Sequence, residues 1–238
     1  YFGALTPNVR KRAMWIRQTV LAGLAAMALL MVTAVQAQQI SRVAAAAQLR
    51  FVLEAIAMQY RELYPENRIE VQYGSSGRFY AQITHGAPFD VFLSADMDYP
   101  AALVEAGFAA TEVMPYAIGR IAIWSNTVDA QSLALADLAD ERFRRVAIAN
   151  PRLAPYVQSG AAEVGIVALA QVLNPGIAAQ GGHALIDAGA HQPLEQGLVV
   201  TRRAAHNEVA RHFADYLRRS EAATLFQSYG YDLPADVP

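Results

Sequence analysis

The chain has 238 residues, 54% of them hydrophobic and 17% charged, which is enough core material for one large or two modest domains and too apolar for a disordered chain. A balance of 19 basic against 21 acidic residues gives a net charge of -2, so there is no broad basic field of the kind that holds nucleic acid. The lack of cysteine excludes disulfides, thiolate metal sites and cysteine nucleophiles while leaving the compartment open.

The first segment, "RKRAMWIR" followed by "QTVLAGLAAMALLMVTAVQAQQ", carries no charge between Arg17 and Arg42 and closes on Val35-Gln36-Ala37. A borderline transmembrane anchor would share this pattern. The alanine-rich composition and the small-x-small ending favour an upstream segment followed by a secretory signal over residues 1–37, with Met14 as the expected start and cleavage after Ala37.

The remainder reads as alternating strands and helices. "ISRVAAAAQLRFVLEAIAMQYRELYP" opens as a short apolar strand and becomes a helix on which Leu49, Val52, Leu53, Ile56 and Tyr60 share one face, closed by Pro65. "RIEVQY" alternates as a strand, Phe79 and Ile83 mark a short helix, and "DVFLSAD" is a continuous apolar strand of the doubly buried kind. "YPAALVEAGF" is a helix stopped at Gly107. This succession predicts an α/β lobe with a largely parallel sheet. "GRIAIWSN", a helix from a Ser132 cap to Phe143, and "RRVAIAN" begin a second lobe; "VGIVAL" and "HQPLEQGLVVTRR" supply further strands. In the C-terminal helical region Val209, Phe213, Tyr216 and Leu217 fall on one face, which must pack on a sheet.

Three junctions hold small residues where a strand gives way to a loop or helix. "GSSG", Gly74 to Gly77, combines bare backbone, two hydroxyls and the free N–H groups of a helix start, a combination suited to an anion and equally to an ordinary capped turn. It lacks the G-x-S-x-G of a nucleophile elbow and the G-K-[ST] of a phosphate-gripping loop. At "VAAAAQLRF" the N–H groups of Ala47, Gln48 and Leu49 are open to a ligand, or the alanines merely allow close packing. "ANPRLAPY" is a proline-rich turn whose Tyr156 could aim its hydroxyl into a cleft. The five histidines, His85, His183, His191, His206 and His212, form no metal-binding pattern. Asp90 and Asp96 stand at opposite ends of a strand, too far apart for a catalytic carboxylate pair.

Together, "VAAAAQLRFVLEAIA", "YGSSGRFYAQITHGAPFDVFLSAD", "YAIGRIAIWS", "ANPRLAPY", "GAAEVGIVALAQVL", "HQPLEQGLVV" and "FQSYGY" resemble the substrate-binding protein of bacterial ABC-type molybdate transporters, in the family's order and over nearly all of the mature chain. The resemblance implies a type II periplasmic-binding-protein fold: two α/β lobes with mostly parallel sheets joined by crossing hinge strands. Lobe one would take residues 38–117 and 187–238, and lobe two residues 118–186. It implies a periplasmic monomer, not an enzyme, that binds molybdate or tungstate without cofactor or cation ligand and delivers it to a membrane permease.

Carried over by position, the oxyanion contacts fall at Ala47, Gln48, Ser75, Ser76 and Tyr156. Gln48 stands where relatives have serine or asparagine, and Ala168 where some have a ligand tyrosine. A larger departure follows Tyr156: "APY" runs straight into "VQSGAAEVGIV", and about thirty residues of the family's lobe two are absent. Two other readings go with these facts, a truncated homologue impaired in binding and a serine hydrolase using Ser75 or Ser76.

Overall fold

A computed structural model describes residues 40–148, 162–235 and 237; the expected signal peptide and Tyr156 lie outside these residues. The chain forms two β-sheets. The first has five strands in the order β2-β1-β3-β9-β4. Strand β1 (Ile40–Ala46) runs parallel to β2 (Arg68–Gly74) and to β3 (Val91–Leu93). Strand β9 (Leu194–Val200) lies antiparallel to β3 and to β4 (Met114–Gly119).

This sheet is covered on both faces, and the pleat sorts its side chains accordingly. Val43, Ala45, Val91, Leu93, Leu198 and Val200 join one core cluster, while the intervening Ala44, Phe92 and Val199 join another on the opposite face. Helix α1 (Arg50–Leu63) buries Val52, Leu53, Ile56, Ala57 and Tyr60 against the first face, and α2 (Ser76–Thr84) sends Phe79 and Ile83 to the second with Leu103 of α3 (Asp98–Glu105).

The second sheet has four strands in the order β6-β7-β5-β8. Strand β5 (Ile121–Ser125) is antiparallel to β7 (Val164–Ala168) and to β8 (Gly182–Leu185), while β6 (Val146–Ile148) is parallel to β7. Two short helices, α4 (Leu169–Val172) and α5 (Pro175–Ala178), follow β7. The chain leaves the first sheet for the second at Arg120, between β4 and β5, and returns between Leu185 and Leu194.

Two expectations need correction. The sheets are mixed rather than mostly parallel, because the strands that carry the chain between sheets, β4, β5 and β9, pair antiparallel to their neighbours. Residues Ser132 to Phe143 do not form an α-helix. They hold the 3₁₀ turns Ala130–Ser132 and Leu135–Ala139, separated by extended Leu133. Asp137 accepts the Ala134 N–H at 2.7 Å and Ser132 donates to the Asp129 carbonyl at 3.0 Å, local bonds that compete with a continuous helix.

The C-terminal region consists of α6 (Glu208–Tyr216) and α7 (Ser220–Ser228). Val209, Phe213, Tyr216 and Leu217 are all buried. The Asn207 side chain caps α6 by accepting the Ala210 N–H at 3.2 Å, and donates to the Ile40 carbonyl at 3.1 Å, which ties this helix to the start of β1.

Candidate functional site

The register of the parallel strands builds the site. Ala46 at the end of β1 pairs with Gly74 at the end of β2, and Ala45 pairs with Leu93 at the end of β3. The segments that follow these three strands, Ala47 to Leu49, Ser75 to Ser76 and Ser94 to Ala95, therefore leave the sheet side by side at its carboxyl edge, where open α/β sheets place their ligands.

Ser75 is the N-cap residue of α2, extended and exposed, with no side-chain capping bond. Ser76 is buried and its Oγ accepts the Ala95 N–H at 3.0 Å. With an acceptor site of its oxygen so engaged, the hydroxyl proton is left to donate. The two glycines of "GSSG" are explained by close approach rather than by a left-handed backbone. A Cβ at Gly74 would lie 2.9 Å from the Phe79 ring, and one at Gly77 would lie 2.6 Å from the Tyr99 hydroxyl.

Ala47 is exposed and Gln48 half-buried on the 3₁₀ turn Ala47–Leu49. The Gln48 carbonyl accepts the Tyr231 hydroxyl at 3.3 Å, and burial pushes the Tyr231 phenol above its usual pKa, so it stays a protonated donor. Gln48 and Ala95 line a cavity of about 180 Å³ together with Arg120, Ala168, Gln171 and Tyr231. This cavity draws its walls from both sheets. Among the described residues no group of three or more histidines, cysteines or carboxylates could hold a metal ion, and no helix is long and apolar enough to cross a membrane.

The structure thus brings Ala47, Gln48, Ser75 and Ser76 to one edge, while Tyr156 is outside the described residues. Sequence reasoning assigned no role to Ala95, Arg120 or Tyr231. Ala95 acts through its backbone, which no residue type announces. Arg120 did carry a signal, a lone charge at the head of the apolar run "RIAIW".

Two α/β sheets linked by two crossings, with hydroxyl and N–H donors at the strand ends of the first, define a two-lobed substrate-binding protein of the type II fold. The sequence profile of a family described as bacterial extracellular solute-binding protein matches residues 41–159 and 155–232, and the chain belongs to that family. It is homologous to the molybdate-binding protein ModA of Azotobacter vinelandii, with 31% identity over 241 residues covering 86% of this chain and 94% of the relative. The ModA of Rhodobacter capsulatus is 31% identical over 263 residues, covering 90% of this chain and 97% of that protein. The solved structure of the A. vinelandii periplasmic molybdate-binding protein matches with a TM-score of 0.70 at 30% identity, over 82% of this chain and 99% of the other. The two stretches matched by the family profile overlap at residues 155–159, around Tyr156.

Proposed function

We propose that this protein binds a tetrahedral oxyanion, molybdate or tungstate, in the cleft between its two sheets and delivers it to an ABC-type permease. The observation that carries the proposal is the Ser76 hydroxyl, oriented by the Ala95 N–H beside the Gln48 turn, in a chain 31% identical to two molybdate-binding proteins. Neutral hydroxyl and backbone N–H donors exchange the hydration shell of the oxyanion for a fixed set of hydrogen bonds, strengthened by the dipole of a helix start. Ser76 and the open Ser75 hydroxyl supply donors at the start of α2, Ala47 and Gln48 supply backbone N–H groups from the turn after β1, and Tyr156 contributes from lobe two. Closure of the lobes then marks the liganded state for the permease.

In this reading the protein is a periplasmic monomer, exported by its N-terminal segment, with no cofactor and no reaction of its own. The relatives are named as binding proteins, and the recorded partner of Ser76 Oγ is a backbone N–H, not the histidine a serine nucleophile needs. Thermal unfolding with molybdate, tungstate, sulfate and phosphate tests the assignment. Stabilisation by molybdate and tungstate is expected, and stabilisation by sulfate alone overturns it.

A second reading, a homologue weakened in binding, is favoured by one observation, the meeting of the two family-matched stretches at residues 155–159.

A further inference from the structure

Arg120 begins the crossing from β4 to β5, and its side chain lines the cavity shared by Gln48, Ala95, Ala168 and Gln171. One terminal nitrogen, Nη1, donates to both Asp232 oxygens, at 3.0 and 2.9 Å. Asp232 is itself fixed by reciprocal backbone bonds with Ile118, at 2.7 and 2.9 Å, so the guanidinium is held by a rigid partner on the C-terminal segment. The Arg120 Nε–H is buried and has no hydrogen-bond partner among the described residues. An unpaired N–H on a permanently charged group is costly to bury, and here it belongs to a side chain on the wall of a cavity that also touches Gln48, one of the candidate oxyanion residues.

We propose that Arg120 is an additional ligand-binding residue of this chain. Its Nε–H, closed to solvent in this structure, donates a charge-assisted hydrogen bond to an oxygen of the bound dianion from the hinge side of the cleft once ligand binding opens it to the cavity. The proposal rests on the oxyanion reading above. It adds a cationic donor to a set otherwise composed of hydroxyls and backbone N–H groups, and it supplies one from the hinge in a chain that lacks part of lobe two. The other walls fit this assignment: Ala168 is small, Ile121, Val167 and Leu194 are apolar, and Gln48, Gln171 and Gln196 are uncharged amides. Among the residues lining the cavity Arg120 is the one formal charge, partly offset by its ion pair with Asp232 outside that lining.

Arg120→Lys tests this directly. The lysine keeps a cation for Asp232 but has a methylene where arginine has Nε, so the donor assigned to the ligand is gone. Molybdate binding is measured by calorimetry for the unaltered chain and the variant, with the far-ultraviolet spectrum checking the fold. A loss of tenfold or more in affinity with the fold intact is expected, since a charge-assisted hydrogen bond has disappeared. Affinity within twofold of the unaltered chain overturns the inference while leaving the oxyanion reading in place. No molybdate binding by the unaltered chain overturns both. If the variant does not fold, titration of the unaltered, ¹⁵N-labelled chain with molybdate decides: the assigned Arg120 Nε–H resonance shifts if it meets the ligand, and an unmoved resonance in a chain that binds molybdate overturns the inference.

Discussion

The Ser76 hydroxyl oxygen accepts the backbone N–H of Ala95 at 3.0 Å, so the junction after β2 is bonded to the junction after β3. Replacing Ser76 with alanine leaves the part-buried Ala95 N–H without this partner, at a cost of about 1–2 kcal/mol in stability. It also removes the donor proposed for the oxyanion, which is expected to lower molybdate affinity about tenfold. Ser75 is exposed and makes no capping bond, so Ser75→Ala should change stability by no more than about 0.5 kcal/mol. Thermal unfolding and calorimetric titration of both variants check the pair. A Ser76→Ala chain as stable as the original would remove the structural half of the argument.

Gly230 offers a separate test of how the C-terminal segment packs against α4. Its φ is +84°, and a Cβ there would sit 2.7 Å from Leu173 Cδ1 and 3.0 Å from Leu169 Cγ. Gly86 has almost the same φ, +86°, with nothing within 4 Å. Gly86→Ala therefore carries only the conformational penalty, about 1 kcal/mol, whereas Gly230→Ala adds overpacking and should cost about 2–4 kcal/mol in all. Urea unfolding of the two variants isolates the packing part as their difference. Equal losses would mean that Leu169 and Leu173 yield freely.

The first lobe was legible because its signals are local and redundant. The run Val43 to Ala46 is buried throughout and the helical face of Val52, Leu53, Ile56 and Tyr60 packs as its spacing demands. The direction of β9 and the existence of β4 and β8 were not legible, because pairing across long sequence distances leaves no mark on either strand alone. The turns between Ala130 and Ala139 misled for a physical reason. Leucine and alanine at helical spacing predict a helix, but Asp129 and Asp137 hold neighbouring backbone N–H groups, and each turn ends after a few residues. At the site, the residue types at Ser75, Ser76 and Gln48 could be read, while the backbone donor at Ala95 and the orphan Nε of Arg120 depend on how separate segments meet.

Buried and half-buried tyrosines set an alkaline limit on the fold. Burial pushes the phenols of Tyr60, Tyr73 and Tyr216 up to about 12, and that of Tyr116 well above its usual value. A phenol with its folded pKa raised contributes stability that is complete below the unfolded pKa of about 10 and is lost as pH rises through the folded value. Stability should therefore be insensitive to these groups up to about pH 9 and fall steeply between about pH 10 and 12. Phenolate absorbance should appear together with loss of the far-ultraviolet signal. Ionisation of every tyrosine in a chain that remains folded through that window would contradict the assignment. Tyr60→Phe should soften the loss only partly, since its hydroxyl also accepts from Asn67 at 2.8 Å and meets His212 Nδ1 at 2.7 Å.

The junction at Tyr156 bears on both readings of function. Lobe two keeps a four-stranded sheet in which the edge strand β6 leaves Ile148 68% exposed, and the family resemblance implies about thirty further residues after Tyr156, with a backbone donor to the ligand among them. If that donor matters as the hydrogen-bond arithmetic suggests, its absence lowers molybdate affinity by about ten- to a hundredfold. Inserting the corresponding segment of the Azotobacter vinelandii protein after Tyr156 should then raise affinity by that factor in a calorimetric titration. It should also raise the unfolding temperature, because an added strand or helix would cover apolar surface such as Ile148. An insertion variant that folds and binds molybdate no more tightly than the original would argue that the cleft is already complete without the segment, with Arg120 at its hinge side as the compensating donor.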